Sequence, residues 1–237
     1  MALVNYQKKQ QESHVKLFSK VTPKEFNDCL ELVKSKTMLS AEVLYDLWNT
    51  VKYITAKGLT GDVLEFGVWK GGGLEMACHA LNRFNGKNKV YGFDTFEGHP
   101  EPSKNEVDAW GNNMNERFHK EIEENGSWVK SHYDSVLKHL TEIRSDVTLR
   151  KGEVTSETIE PEIEKISILR LDMDWYEPTM AALVNFYDRV QNGGSIIIDD
   201  YGHHSGAREA TDEFFAKREL HLNFRHINYS CIAATVF

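Results

Sequence analysis

The sequence predicts an α/β domain around a mostly parallel β-sheet, buried on both faces and finished at one edge by an antiparallel hairpin. Two features carry this. From residue 62 onward, short apolar runs at 62–66, 89–93, 147–150, 166–171 and 195–198 alternate with amphipathic stretches at 73–84, 115–124, 128–143 and 178–190. Continuous apolar strands separated by helices indicate βαβ units whose sheet is covered on both sides. The last two β-like runs, 222–227 and 231–237, follow a helical stretch at 206–218 and lie too close together for a helical crossover, so they predict a hairpin.

The elements follow in order. Residues 1–20 are polar and aperiodic, which predicts a loose arm or frayed helix. Thr22-Pro23 with Glu25 is a helix start, proline at the first helical position and an acid in the first turn. Phe26, Leu30 and Val33 continue it at helical spacing. Ser40 caps a second helix whose apolar face is Val43, Leu44, Leu47, Val51 and Ile54, and Gly58 and Gly61 end it. The five strands and their crossovers come next. The 237 residues show no repeat, low-complexity tract or clear linker, so the expectation is an N-terminal arm and helix over 1–36 and one domain over 37–237.

Composition narrows the function. The formal net charge is −8, with 27% charged residues; a duplex-binding protein usually carries a basic face, and a nucleic-acid partner is not expected. Cys29, Cys78 and Cys231 are odd in number and far apart, which fits free thiols in a reducing compartment. No apolar run reaches the roughly 18 residues of a membrane helix, and residues 1–16 lack the apolar core of a signal peptide. The expected location is the cytoplasm, without membrane attachment.

Ligands of open α/β sheets bind beyond the carboxyl ends of the strands. The first strand runs into Glu65-Phe66-Gly67-Val68-Trp69-Lys70-Gly71-Gly72-Gly73 and then a helix. Glycines there let backbone approach a ligand closely; a purely steric turn is the competing reading. The spacing is not GxGxxG, and an acid two residues before the first glycine repels a pyrophosphate but suits an ammonium or sulfonium group. The second strand ends in Asp94, placed to accept hydrogen bonds from ribose hydroxyls or to cap the next segment. Together the two acids favour S-adenosylmethionine. Gly67, Val68, Trp69 and Gly71 of the turn, and Gly152 beyond the third strand, complete the expected cofactor contacts.

The fourth strand ends in Asp172, followed by Met173-Asp174, and the fifth in Asp199-Asp200. Three carboxylates meeting at one sheet edge call for a cation, and an all-oxygen donor set favours Mg²⁺ over Zn²⁺. The alternatives are a capping role for Asp199 or Asp200, or pairing with Arg170 or Arg208. His203 and His204 follow directly, and either fits a base or a substrate contact. His132, His139, His221 and His226 sit in ordinary helical or strand patterns. The long stretch 95–113, with Gly98, Pro100, Pro102 and Gly111, reads as a lid over the cofactor or as a surface loop.

The stretches GDVLEFGVWKGGG at 61–73, YGFDTFEGHP at 91–100, LRLDMDWYEPTMAAL at 169–183 and GGSIIIDDYGHHSGAREATDEF at 193–214, with Thr37-Met38, resemble the macrocin/mycinamicin O-methyltransferase family, metal-dependent enzymes that methylate sugar hydroxyls. The resemblance covers most of 37–237. It implies the class I methyltransferase fold, Rossmann-like, with seven strands and a C-terminal antiparallel hairpin. It also implies cofactor contacts at Glu65, Gly67 and Asp94 and magnesium ligands at Asp172, Asp199 and Asp200. Met173, Trp175 and the His203-His204 pair depart from the family pattern, all near the acceptor side.

The expected reaction is methyl transfer from S-adenosylmethionine to a sugar-containing small molecule. The resemblance favours Asp172 as base; Asp174, His203 and His204 are the other candidates. A catechol-type enzyme with Trp110 and Trp175 lining an aromatic pocket, an NAD-dependent oxidoreductase and a non-catalytic interaction protein are the alternatives. The arm before residue 37 is the candidate element for a homo-oligomer.

Overall fold

The computed structural model of the protein describes residues 17–155, 160 and 162–237. Seven strands form one sheet in the order β3-β2-β1-β4-β5-β7-β6. In chain order the elements are α1 (Lys24–Val33), α2 (Ala41–Ala56), β1 (Asp62–Phe66), α3 (Gly72–Phe84), β2 (Val90–Asp94), α4 (Met114–Asn125), α5 (Tyr133–Ile143), β3 (Val147–Lys151), β4 (Ile166–Leu171), α6 (Tyr176–Phe186), β5 (Val190–Ile198), α7 (Ser205–Lys217), β6 (Arg225–His226) and β7 (Ile232–Thr235). The neighbouring pairs among β1 to β5 are parallel, and β7 runs antiparallel to both β5 and β6. The expected α/β class and closing hairpin are both present.

The apolar strands are buried because helices cover both faces. One cluster joins Phe26 and Val33 of α1, the face Val43, Leu44, Leu47, Val51 and Ile54 of α2, and Leu74, Ala77 and Leu81 of α3. The other joins Leu64, Phe66, Leu169, Leu171 and Ile196 to Phe186 and Phe214 on the opposite side. Ser40 caps α2, its side chain accepting from Val43 N. Among the described residues no helix is long and apolar enough to cross a membrane.

Several boundaries differ from the sequence pattern, for local reasons. Pro23 sits at the cap of α1, one residue outside it. Residues 17–21 are helical rather than loose; residues 1–16 lie outside the described part. The helix expected over 128–143 begins only at Tyr133. Val129 adopts φ +63°, and Trp128 packs against His99 and Trp175 instead. The fifth strand starts at Val190 rather than 195, with a register shift opposite Ile166–Ile168 that hides the period-two signal. The sixth strand pairs at only two positions, Arg225 and His226.

Candidate active site

The carboxyl ends of β1, β2, β4 and β5 open into a cleft of about 820 Å³, within the size range of small-molecule sites. Backbone hydrogen bonds extend the sheet one step past its strands. Gly67 N donates to Phe93 O, Asp172 N to Phe66 O and Asp199 N to Leu171 O, each at 2.8 Å. The residues after each strand are therefore held in register at the cleft floor.

Gly67 has φ +86°, and a Cβ there would lie 1.7 Å from Asp172 O; only glycine lets these two turns touch. Val68 N and Trp69 N both donate to Asp94 Oδ2 at 2.7 Å, and Phe96 N donates to Asp94 Oδ1 at 2.6 Å. Asp94 thus ties the glycine-rich turn to the start of the next segment, as well as lining the cleft. Gly73 gives room to Glu65, since a Cβ there would lie 2.2 Å from Glu65 Oε1. Gly152 lines the opening, and its N donates to Asp94 O. Gly71 lies outside the wall: at φ +87° it caps α3, and its missing Cβ faces Val136 of α5.

Beneath the floor lies Arg170, 1% exposed. The register sets it beside Glu65. Its Nη1 donates to Glu65 Oε1 and, at 3.0 Å, to Asp172 Oδ2; its Nη2 donates to Asp199 Oδ2 at 2.7 Å. Burial disfavours the guanidinium charge, but the carboxylates of Asp172, Glu65 and Asp199 outweigh it and hold the pKa well above the usual value. Glu65 Oε2 is buried without a partner. Burial, with the Asp172 and Asp199 charges, lifts the Glu65 pKa to about 7 against the pull of Arg170.

Two donor groups share Asp200. Oxygens of Asp172, Asp199 and Asp200 lie within 4.8 Å of one another, as do ligand atoms of Asp174, Asp200 and His204. Burial and mutual repulsion raise Asp199 and Asp200 well above the carboxylate range, and burial lifts Asp174 to about 7. Asp174 and Asp200 both adopt left-handed backbone, φ +64° and +57°, which costs about 1–3 kcal/mol per residue. Such strain is common where side chains are aimed for function.

Asp174 Oδ2 lies 3.1 Å from His99 Nε2 and 3.7 Å from His204 Nε2. Burial lowers the pKa of His99 to about 4 and that of His204 to about 3, so both rings are neutral at pH 7. Trp128 and Trp175 flank His99, and Trp175 meets His204. His203 sits higher, its Nδ1 3.1 Å from the Tyr229 hydroxyl. The segment 95–113 is pinned at several points: Trp175 Nε1 donates to Pro100 O, and Ser205 Oγ and O=C of Val107 exchange bonds with their opposite backbone N–H groups. Trp110 is 73% exposed, its ring edge-on to His203.

Residues 3–235 match the sequence model of the family described as Macrocin-O-methyltransferase (TylF). The chain belongs to the macrocin O-methyltransferase family. It is accordingly an S-adenosylmethionine-dependent O-methyltransferase, and the hydride-transfer and non-catalytic alternatives fall. It is 25% identical over 188 residues to demethyldecarbamoylnovobiocin O-methyltransferase of Streptomyces niveus, covering 78% of this chain and 69% of that one. It is 29% identical over 184 residues to mycinamicin III 3''-O-methyltransferase of Micromonospora griseorubida, covering 75% and 69%. The solved structure of the O-methyltransferase NovP superposes with a TM-score of 0.72 at 24% identity, over 85% of this chain and 82% of that one, which establishes the class I methyltransferase fold.

In this member of the macrocin family, Glu65, Gly67, Val68, Trp69, Asp94, Gly152, Asp172, Asp199, Asp200, His203 and His204 all line one cleft. The sequence carries no mark of a role for His99, although it lies inside the quoted YGFDTFEGHP stretch, nor for Trp128 or Tyr229. Their signal is tertiary: His99 and Tyr229 come from loops with no periodicity to mark them, and Trp128 was read into a helix that begins only at Tyr133.

Proposed function

We propose that this enzyme transfers the methyl group of S-adenosylmethionine to a hydroxyl of a sugar or glycosylated natural product, with Mg²⁺ held by Asp172, Asp199 and Asp200. The observation that carries the reading is the convergence of these carboxylates and Asp174 in the cleft that also contains Glu65 and Asp94. The donor set fits the ion: three carboxylates with oxygens within 4.8 Å of one another call for positive charge, and those oxygens suit a hard cation. The cofactor side fits as well. The unpartnered buried Glu65 Oε2 suits a positively charged end group, and Asp94 Oδ1, with one bond made, keeps a lone pair for a hydroxyl. The acceptor class is supported by the relatives that act on mycinamicin III at a 3'' oxygen and on a rhamnosyl-tetracenomycin at a 4' oxygen.

S-adenosylmethionine supplies an activated methyl group, and Mg²⁺ acidifies hydroxyls that it binds. The chain's own residues orient the acceptor and take its proton. Asp172 is the base that the family likeness favours, but its Oδ2 already accepts from Arg170. Asp174 is the better-placed base: it carries no guanidinium bond and lines the cleft between His99 and His204. His203 and His204 then serve as acceptor contacts. The rings of Trp128, Trp175 and Tyr229 line the same cleft and offer the acceptor an aromatic surface.

The test is release of S-adenosylhomocysteine, followed by mass spectrometry, with a panel of rhamnosides, other glycosides and catechol. Turnover should occur with a glycoside, stop in EDTA and return with Mg²⁺. Turnover only with catechol would replace the sugar by a phenolic diol. Full activity of a metal-free enzyme would remove the cation.

A further inference from the structure

The buried carboxylate of Glu75 takes no part in the chemistry above, yet it is one of the most heavily partnered groups in the molecule. It sits in the first turn of α3, just after the glycine-rich turn, and is 1% exposed. Lys36 Nζ lies 2.6 Å from Glu75 Oε2. His139 Nε2, from α5, lies 2.9 Å from that same oxygen and 2.9 Å from Lys36 Nζ. His79 Nε2 lies 3.6 Å from Glu75 Oε1. Two separate pieces of chain, the Lys36 segment and α5, therefore meet on one acid of α3.

The piece that Lys36 brings is the segment 36–40 ahead of α2. Lys36, Thr37, Met38, Leu39 and Ser40 line the same cleft as Glu65, Gly67 and Asp94. Their backbone runs against the start of α3: Gly72 N donates to Lys36 O at 3.0 Å, and a Cβ on Gly72 would lie 2.6 Å from Thr37 Cβ. The far end is tied at Ser40, whose Oγ accepts from Asn228 Nδ2 at 3.2 Å. Met38 is 71% exposed although it lines the cleft, so an apolar side chain stands ready to be covered by a ligand.

We infer that Glu75 is a positioning residue for the cofactor: through Lys36 it clamps the segment 36–40 against α3 and so closes that side of the cofactor pocket. The inference rests on the reading that S-adenosylmethionine occupies the Glu65–Asp94 end of the cleft. Mechanically, the backbone bond from Gly72 fixes where the segment crosses α3. The Lys36–Glu75 pair, with its acid buried and its lysine partly exposed, is braced by His139 and stops it from peeling away. Removing Lys36 is costly because the buried Glu75 charge is left without its nearest cation.

The test uses the whole chain and S-adenosylhomocysteine as the probe, by calorimetric titration, displacement kinetics and hydrogen exchange. Glu75→Gln and, independently, Lys36→Met should each weaken binding by about ten-fold, chiefly through faster dissociation. Amide exchange should speed up in 36–40 while β1 stays protected. Lys36→Arg, which keeps the charge, should bind within about two-fold of the parent. Should Glu75→Gln fail to fold, Lys36→Met and its arginine counterpart make the same comparison. Unchanged affinity and residence time in folded variants would overturn the clamp, as would a loss of affinity with exchange raised throughout α3. If the parent chain itself does not bind S-adenosylhomocysteine, the cofactor reading fails first and the clamp with it.

Discussion

At the scale of single residues, the site depends on where each proton and charge is held. Asp174→Asn keeps the shape and removes the proposed base, so turnover with an accepted glycoside should fall about 10²–10⁴-fold. S-adenosylhomocysteine affinity should stay within a few-fold, and equal turnover of the variant and the parent would return the role to Asp172 or a histidine. His99 carries a pH signature. Its folded pKa of about 4, set first by burial, lies below its unfolded value near 6.5. The unfolded chain then binds a proton that the folded chain refuses, so stability is full above pH 6.5 and is lost as pH falls toward 4. The loss amounts to roughly 3 kcal/mol for this group. Denaturant melts at pH 7 and pH 4.5 should show a smaller drop for His99→Gln than for the parent. The strand-end acids were legible because each closes an apolar run. His99 was not, because a lone histidine in a loop has no period or spacing to mark it, and only the packing of Trp128 and Trp175 brings it to Asp174.

At the scale of elements, the turn between β1 and α3 decides whether the two halves of the cleft meet. Gly67 and Gly58 both have left-handed backbone, φ +86° and +68°, but nothing lies within 4 Å of a Cβ built on Gly58. Gly58→Ala should therefore show the backbone cost alone, about 1 kcal/mol or more. Gly67→Ala should add the collision with Asp172 O and lower the melting temperature further, by more than about 3 °C beyond Gly58→Ala. Equal melting points would mean that the turn relaxes and that the close approach is not needed. Strands β1 to β4 were legible as apolar runs of the right length, and α2 as a face of five buried residues behind a serine cap. The start of β5 was not, since Gly193 and Gly194 break its alternation, and β6 was over-read because only two of its residues find partners. The false first turn of α5 has the same origin as the missed His99: Trp128 packs into the cleft wall rather than continuing a helix.

At the scale of the whole molecule, one arginine joins the Glu65 end of the cleft to the proposed cation site at Asp172 and Asp199. The sequence held Arg170 only as an alternative partner for an aspartate; the register of β1, β4 and β5 makes it the shared partner of Glu65, Asp172 and Asp199. In a chain of net charge −8, this buried guanidinium is the positive partner that Glu65, Asp172 and Asp199 share. Arg170→Met fills similar volume but leaves them uncompensated, and removing one side of a buried ionic group costs about 3–5 kcal/mol. For a domain of this size that corresponds to roughly 6–20 °C in melting temperature. A dication bound at Asp172 and Asp199 would then be the main remaining counter-charge for those acids, so Mg²⁺ should stabilise the variant more than the parent by linkage. The measurement is a pair of thermal melts with excess Mg²⁺ and with EDTA. A larger Mg²⁺-dependent rise for Arg170→Met is the expected result. An equal rise would detach the arginine from the cation site, and no rise in either protein would argue against a cation at Asp172, Asp199 and Asp200 altogether.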